Sequence, residues 1–300
     1  MPLYFFLSGL FFKTYEDFKG FAKRKINKLL IPFLFFYTTT SILLPNFTAL
    51  LGLNFYNKDS IGIQTLWAFI YPEKFGNGPI WFLWCLFVMN IIFYSVYLFS
   101  KKYKSFQLQI LIALSISIGL VGYAFGKYNI NLPAFIDSSM TALPFFVCGY
   151  VFKHYTKILY PNKYDKYNIL FILACFIYIY IHGCDVNYMS NTYHKVTPWT
   201  MYSGGIMGTL FIIYVSKTIK DIPIISYCGR YSIMILVTHY PLIKLIKPII
   251  ERWNIPTWGT IFIIWLVLLF ISLLIIPLFK KYIPQFTAQK DIIKIDQTCI

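Results

Sequence analysis

Long apolar runs alternate with short polar stretches along the whole of this 300-residue chain. The runs cover residues 1–12, 29–53, 79–100, 108–126, 134–152, 167–182, 198–216, 229–246 and 257–279, which makes nine segments. A helix rises about 1.5 Å per residue, so about 20 apolar residues are needed to cross ~30 Å of hydrocarbon. The later segments approach that length. The first, MPLYFFLSGLFF, rises only ~18 Å. The pattern predicts an all-α fold, a polytopic transmembrane helix bundle, with a short amphipathic piece near 61–71. No internal repeat interrupts it. Residues 1–282 read as one transmembrane domain and 283–300 as a short tail.

Composition strengthens this reading. Hydrophobic residues make up 58% of the chain and charged residues 13%, against roughly a quarter charged in a soluble domain. The charge then orients the spans. With the basic stretch 13–28 placed in the cytoplasm and the sides alternated from there, five groups of Lys and Arg fall inside. They lie at 13–28, 101–104, 153–166, 217–220 and 280–294, and they hold 19 of the 27 basic residues. Seven fall outside, and Arg230 sits at a boundary. That bias expects a multi-pass protein of the cytoplasmic (inner) membrane with a cytoplasmic C-terminus. It also starts Met1 on the outer side, so the chain reads as a ten-span protein shortened at its N-terminus.

The net charge of +16 would suit nucleic acid, but the cations sit in short clusters between apolar spans, where they set topology and touch anionic headgroups. The expected partner is the lipid bilayer, with no nucleic acid. Six cysteines show no paired spacing, and four scattered histidines show no metal-ligand spacing, so no metal is expected. The first apolar stretch lacks the basic n-region and small-residue cleavage site of a signal peptide. Ser115, Gly119 and Gly126 on one span, and Gly204 and Gly208 on another, are expected to let helix backbones pack closely.

Chemistry concentrates in four stretches. KGFAKRKINKLLIPF places Lys23, Arg24, Lys25 and Lys28 directly before a Pro-containing span. Such cations can hold phosphates through charge-assisted hydrogen bonds, although topology anchoring alone also fits them. NGPIWFLWCLF opens a span with a turn and two tryptophans, suited to a membrane boundary. ALPFFVCGYVFKH puts Pro144 inside a span, freeing backbone carbonyls. YCGRYSIMILVTHYP sets Arg230 at the start of a span and His239 nine residues on, roughly 13 Å deeper. An ionisable residue at that depth is costly and points to function, or else to a bond with a neighbouring helix. Asp137, near the outer end of its span, is a similar and weaker case.

Taken together, MPLYFFLSG, KRKINKLLIPF, GPIWFLWCLF, LPFFVCGY and GRYSIMILVTHYP resemble, in order and spacing, the acyltransferase 3 family of integral-membrane enzymes. The resemblance runs from Met1 to about Phe279. It implies a membrane-embedded O-acyltransferase that moves an acyl group, most often acetyl, from acyl-CoA (acetyl-CoA) to a hydroxyl of a cell-surface glycan or its lipid-linked sugar precursor. Arg24, Lys25 and Lys28, with Lys23 in reserve, are the residues expected to hold the donor's phosphates. His239, Arg230 and Asp137 are the residues expected to shape the catalytic site, and His239 and Arg230 are not expected to replace the family's catalytic base. The family carries a further helix before its first motif, with a His regarded as catalytic, and this chain lacks it. If Met1 is the true start, little or no transferase activity is expected. A transporter or flippase of a lipid-linked glycan is the alternative. It fits the cationic loops and the intramembrane His and Arg, but it would be expected to show repeated halves.

Overall fold

A computed structural model describes residues 1–13, 15, 17–50, 77–156, 160, 167–182, 185–194, 196–219, 221–253 and 255–294. The helices among them are α1 (Pro2–Leu10), α2 (Phe18–Lys25), α3 (Ile31–Tyr37), α4 (Leu44–Leu50), α5 (Trp81–Lys101), α6 (Gln107–Lys127), α7 (Ile136–Tyr155), α8 (Asn168–Ile181), α9 (Pro198–Ile219), α10 (Pro223–Arg230), α11 (Ser232–Glu251) and α12 (Thr257–Tyr282). A small antiparallel hairpin, β1 (Asp185–Asn187) with β2 (Thr192–His194), follows α8 and pairs Asp185 with His194. The protein is all-α, and each of the nine predicted segments contains a helix.

Six stretches among the described residues are long and apolar enough to cross a membrane: Phe18–Thr48, Gly78–Lys101, Lys104–Lys127, Pro133–His154, Ser232–Glu251 and Thr257–Tyr282. The chain is a multi-pass membrane protein. On α12, Trp258, Phe262, Trp265 and Phe270 all face outward, an apolar surface that lipid satisfies and water does not. Of the remaining segments, α1 has 9 residues and α8 has 14. Helix α9 has 22, but its glycines and hydroxyl residues dilute its hydropathy. The predicted amphipathic piece at 61–71 lies outside the described residues.

By contact, the chain divides into two compact units, Met1–Thr14 with Val88–Ile222, and Tyr15–Phe87 with Pro223–Ile300. In the first unit, α1 packs on α7 with almost no side chain between them. A Cβ added to Gly9 would lie 1.8 Å from the Phe146 carbonyl oxygen, and one added to Gly149 would lie 1.9 Å from that of Phe6. Two of the sequence motifs thus meet backbone to backbone, which lipid-embedded helices need because no hydrophobic force drives them together. Just beyond the crossing, Phe12 packs edge-on against Phe93, Phe146 and Tyr150. Lys153 Nζ donates to the Phe12 carbonyl at 2.6 Å. Helix α6 meets α7 by the same device: Gly119 faces the Pro144 ring and Gly122 faces Thr141.

The pair on α9 behaves differently from its expected packing role. Gly204 has nothing within 4 Å of its would-be Cβ, and Gly208 meets only Ile179, at 3.9 Å. Both line an open cavity of about 360 Å³ with Leu3, His182, Tyr188 and Gly205. Small residues there leave space where close packing was expected.

The second unit is organised by prolines. The basic stretch, expected as a loop before a span starting near residue 29, is helical from Phe18, because Asp17 accepts from the Gly20 N–H at 3.0 Å and caps α2. The helix runs on through two wide π-turns, Ile26–Leu30 and Thr38–Leu43. The first closes with Ile31 N–H on the Ile26 carbonyl, the second with Leu44 N–H on Thr39. Each closing residue directly precedes a proline, Pro32 or Pro45. Proline brings no N–H and its ring collides with the carbonyl four residues back, so the preceding turn widens. Helices α11 and α12 pack through Tyr231, Met234 and Ile276.

The crossing of α1 and α7 sets a contrast that thermal unfolding in detergent can read. Gly149→Ala drives a methyl into the Phe6 carbonyl and is expected to cost about 1–3 kcal/mol. Gly204→Ala meets open space inside a helix, where alanine is the better helix former, and is expected to leave the unfolding temperature unchanged or slightly raised. Equal effects from the two variants would show that the backbone contact does not hold the unit together.

Candidate functional site

The second unit holds a buried polar link centred on α11. Pro241 offers no N–H to the carbonyl of Val237, four residues back, and Val237 is fully buried. Asn77 supplies the missing donor. Its Nδ2 donates to the Val237 carbonyl at 2.9 Å and to Thr40 Oγ1 at 3.0 Å. The Thr40 hydroxyl in turn donates to the Phe36 carbonyl at 2.6 Å. Thr40 sits in the second π-turn, so that turn, the residue opening the NGPIWF stretch and the middle of α11 are tied by one carboxamide. Asn77 itself is fully buried, and its Oδ1 has no hydrogen-bond partner among the described residues.

Two residues past Val237 on α11 stands His239, half-buried. Its Nδ1 lies 2.9 Å from the carbonyl of Ile235. A carbonyl can only accept, so in the neutral ring the proton resides on Nδ1 and the lone pair on Nε2. The helix therefore fixes the tautomer of its own histidine and leaves the basic nitrogen turned away from that bond.

The cationic stretch belongs to the same unit. Lys23, Arg24 and Lys25 end α2, and Lys28 lies in the first π-turn. Lys25 Nζ stands 5.8 Å from the Phe21 ring centre, and Tyr15 packs edge-on against that ring. Burial lifts the Tyr15 hydroxyl above its ordinary range, while Arg24 pulls it the other way. Lys28 Nζ donates to the Ala288 carbonyl at 2.8 Å and pairs with Asp291 at 3.0 Å. Arg230 is exposed at the end of α10, next to Tyr231, whose ring lies 4.8 Å from Lys280 Nζ.

Asp137 is placed elsewhere. It sits in the first turn of α7, in the first unit, with 4% of its surface exposed. Asn191 hydrogen-bonds its carboxylate and also donates to the Gly122 carbonyl at 3.0 Å. Thr141 Oγ1 donates to Asn191 Oδ1 at 3.1 Å, and Tyr193 adds a bond to the same oxygen. Burial pushes the Tyr193 hydroxyl up. Asn191 takes the left-handed conformation, φ 50°, at the hairpin turn, a region asparagine tolerates. This network docks the hairpin onto α6 and α7 and engages Asp137 in doing so.

Of the predicted residues, then, Lys23, Arg24, Lys25, Lys28, Arg230 and His239 belong to one unit and Asp137 to the other. Asn77, Thr40 and Asn27 were not singled out from the sequence. Pro241 gave a usable signal for the first of these, since a proline inside an apolar span leaves a carbonyl that some donor must reach. Among the described residues, no group of three His, Cys, Asp or Glu could hold a metal ion.

Comparison with curated proteins and with solved structures gave no match. The sequence model of a family described as an acyltransferase domain, Acyl_transf_3, matches residues 1–279. That span takes in the α1–α7 glycine crossing, the cationic helix, the Asn77 link and His239, and the chain accordingly belongs to the acyltransferase 3 family.

Proposed function

We propose that the protein transfers an acyl group, acetyl in the simplest case, from acyl-CoA to a hydroxyl of a cell-surface glycan or its lipid-linked precursor, in the cytoplasmic membrane and with its C-terminus in the cytoplasm. The observation that carries the reading is His239, half-buried in an apolar helix with its Nδ1 proton fixed on Ile235 and placed in the same unit as four clustered cations.

A thioester is already activated, but a sugar hydroxyl is a weak nucleophile until its proton is drawn off. Although the sequence offers His239 only to shape the site, in this reading its Nε2 accepts the hydroxyl's hydrogen bond and takes its proton as the oxygen attacks the thioester carbonyl. The carbon–sulfur bond then breaks, and the proton returns to the departing thiolate of coenzyme A. Asn77 acts as a positioning residue, holding α11 at Val237 so that His239 keeps its place. Arg24, Lys25 and Lys28, with Lys23 beside them, hold the donor's phosphates by charge-assisted hydrogen bonds. Arg230 supplies a further positive charge at the start of the polypeptide leading into α11.

Two substitutions test the reading. His239→Gln removes the basic nitrogen and is expected to lower kcat for acyl transfer by about 10²–10⁴-fold, the range for loss of a general base. A loss smaller than tenfold in a radiolabelled-acetyl assay would remove His239 from proton transfer. Arg24→Ala combined with Lys28→Ala is expected to weaken coenzyme A binding by about 10–100-fold, as loss of charge-assisted bonds implies. Unchanged binding, measured calorimetrically, would mean that these cations serve topology alone.

A further inference from the structure

Beyond α12 the chain turns back along the cationic helix. Phe286 stacks on Phe35 with ring centres 4.1 Å apart, and Thr287 is fully buried. Asn27, with 1% of its surface exposed, accepts from the N–H groups of Ile292 at 3.2 Å and Ile293 at 2.9 Å. Its Nδ2 donates to the Ile293 carbonyl at 2.8 Å. The carboxamide thus pairs with the returning backbone as a neighbouring strand would. From Phe35 back to Asn27 is about 12 Å of helix, and the segment follows it from Phe286 to Ile293.

We infer that residues 283–294 form a fixed wall of the cationic site, and that Lys290 and Lys294 join Lys23, Arg24, Lys25 and Lys28 in binding a phosphate-bearing polyanion. The inference rests on the donor reading above and adds residues that lie beyond the family match. Lys290 falls between Ala288 and Asp291, the two residues that Lys28 Nζ contacts, and both Lys290 and Lys294 are exposed. A segment anchored by a buried carboxamide and a half-buried ring stack is part of the site's architecture and not a strap that a ligand must displace. The Lys28–Asp291 pair is itself more than a third exposed, and such pairs contribute little, so Lys28 can exchange Asp291 for a phosphate. Several cations around a small surface suit a ligand with more than one phosphate. The 3′-phospho-ADP end of coenzyme A fits this description, and so do clustered anionic lipid headgroups.

The test uses the full chain in a neutral detergent, with coenzyme A and phosphatidylglycerol as probes. Lys290→Ala with Lys294→Ala, both at exposed positions, is expected to raise the coenzyme A dissociation constant about two- to tenfold at low salt, with the difference shrinking as salt rises. Adenosine, which has no phosphate, is expected to bind both forms alike. If coenzyme A binding is unchanged but phosphatidylglycerol retained through purification is lost, the polyanion is a lipid headgroup. If neither changes, the wall plays no part in anion binding and the inference fails. Arg24→Ala with Lys28→Ala separates the two proposals. Weaker coenzyme A binding in that variant alone, with lipid retention also unchanged in the Lys290 and Lys294 variant, sinks the wall and leaves the donor reading standing. No effect on coenzyme A from either pair sinks the donor reading.

Discussion

The carbonyl of Val237 constrains everything around it. In an apolar medium an unpaired backbone acceptor costs several kcal/mol, and water is not at hand to relieve it. Pro241 creates that acceptor and Asn77 answers it. The answer reaches further, because the same Asn77 nitrogen group also bonds Thr40, whose π-turn exists because Pro45 follows it. Two prolines on different helices are thereby reconciled by one side chain. The segment of α11 that carries His239 is held laterally by this link and axially by its own helix. A functional histidine gains from such a place, since its ring moves only as far as its backbone does.

The first unit solves a different problem by different means. Its helices have no polar mismatch at the α1–α7 crossing, only the need to approach closely enough for dispersion to hold them. Gly9 and Gly149 give up their side chains to each other's carbonyl neighbours. Phe12 and its ring of partners then fill the wider space beyond the crossing. Buried polar side chains in this unit are concentrated where the hairpin docks, and there Asn191 serves Asp137, Thr141 and Gly122 at once. A buried acid beside an asparagine, tyrosines and a helix start is what a structural joint needs, and the same burial is what makes Asp137 a site candidate in the sequence. Burial of a charge is what the sequence shows, and both joints and active sites bury charges.

Much of this was legible beforehand. Apolar run length is a direct reading of bilayer thickness, so all nine segments turned out to hold helices. The five motifs also carried enough order and spacing to point to the right family. What failed was local. The basic stretch was taken as loop because Lys and Arg break the apolar pattern, yet Asp17 caps a helix there and Phe18 and Phe21 give it apolar positions. Gly204 and Gly208 were read as a packing seam because spacing alone does not say whether a small residue admits a neighbouring backbone or leaves room. Asn77 does not stand out in the sequence because its partners lie 37 and 160 residues away, a separation that no periodicity reveals.

The placement of His239 follows from the same proline that makes Asn77 necessary. A proline inside a helix removes a donor four residues back and opens the turn between. Along the helix, His239 lies between the Val237 carbonyl that Asn77 satisfies and Pro241. Its Nδ1 takes Ile235 as a partner, one turn toward the N-terminus. The interruption therefore does two things at a single locus. It makes a polar anchor for a second helix, and it falls beside the histidine that the proposed reaction uses as its base. An uninterrupted α11 would satisfy the Val237 carbonyl from within and would need no Asn77, while His239 would keep the Ile235 carbonyl one turn back as its partner.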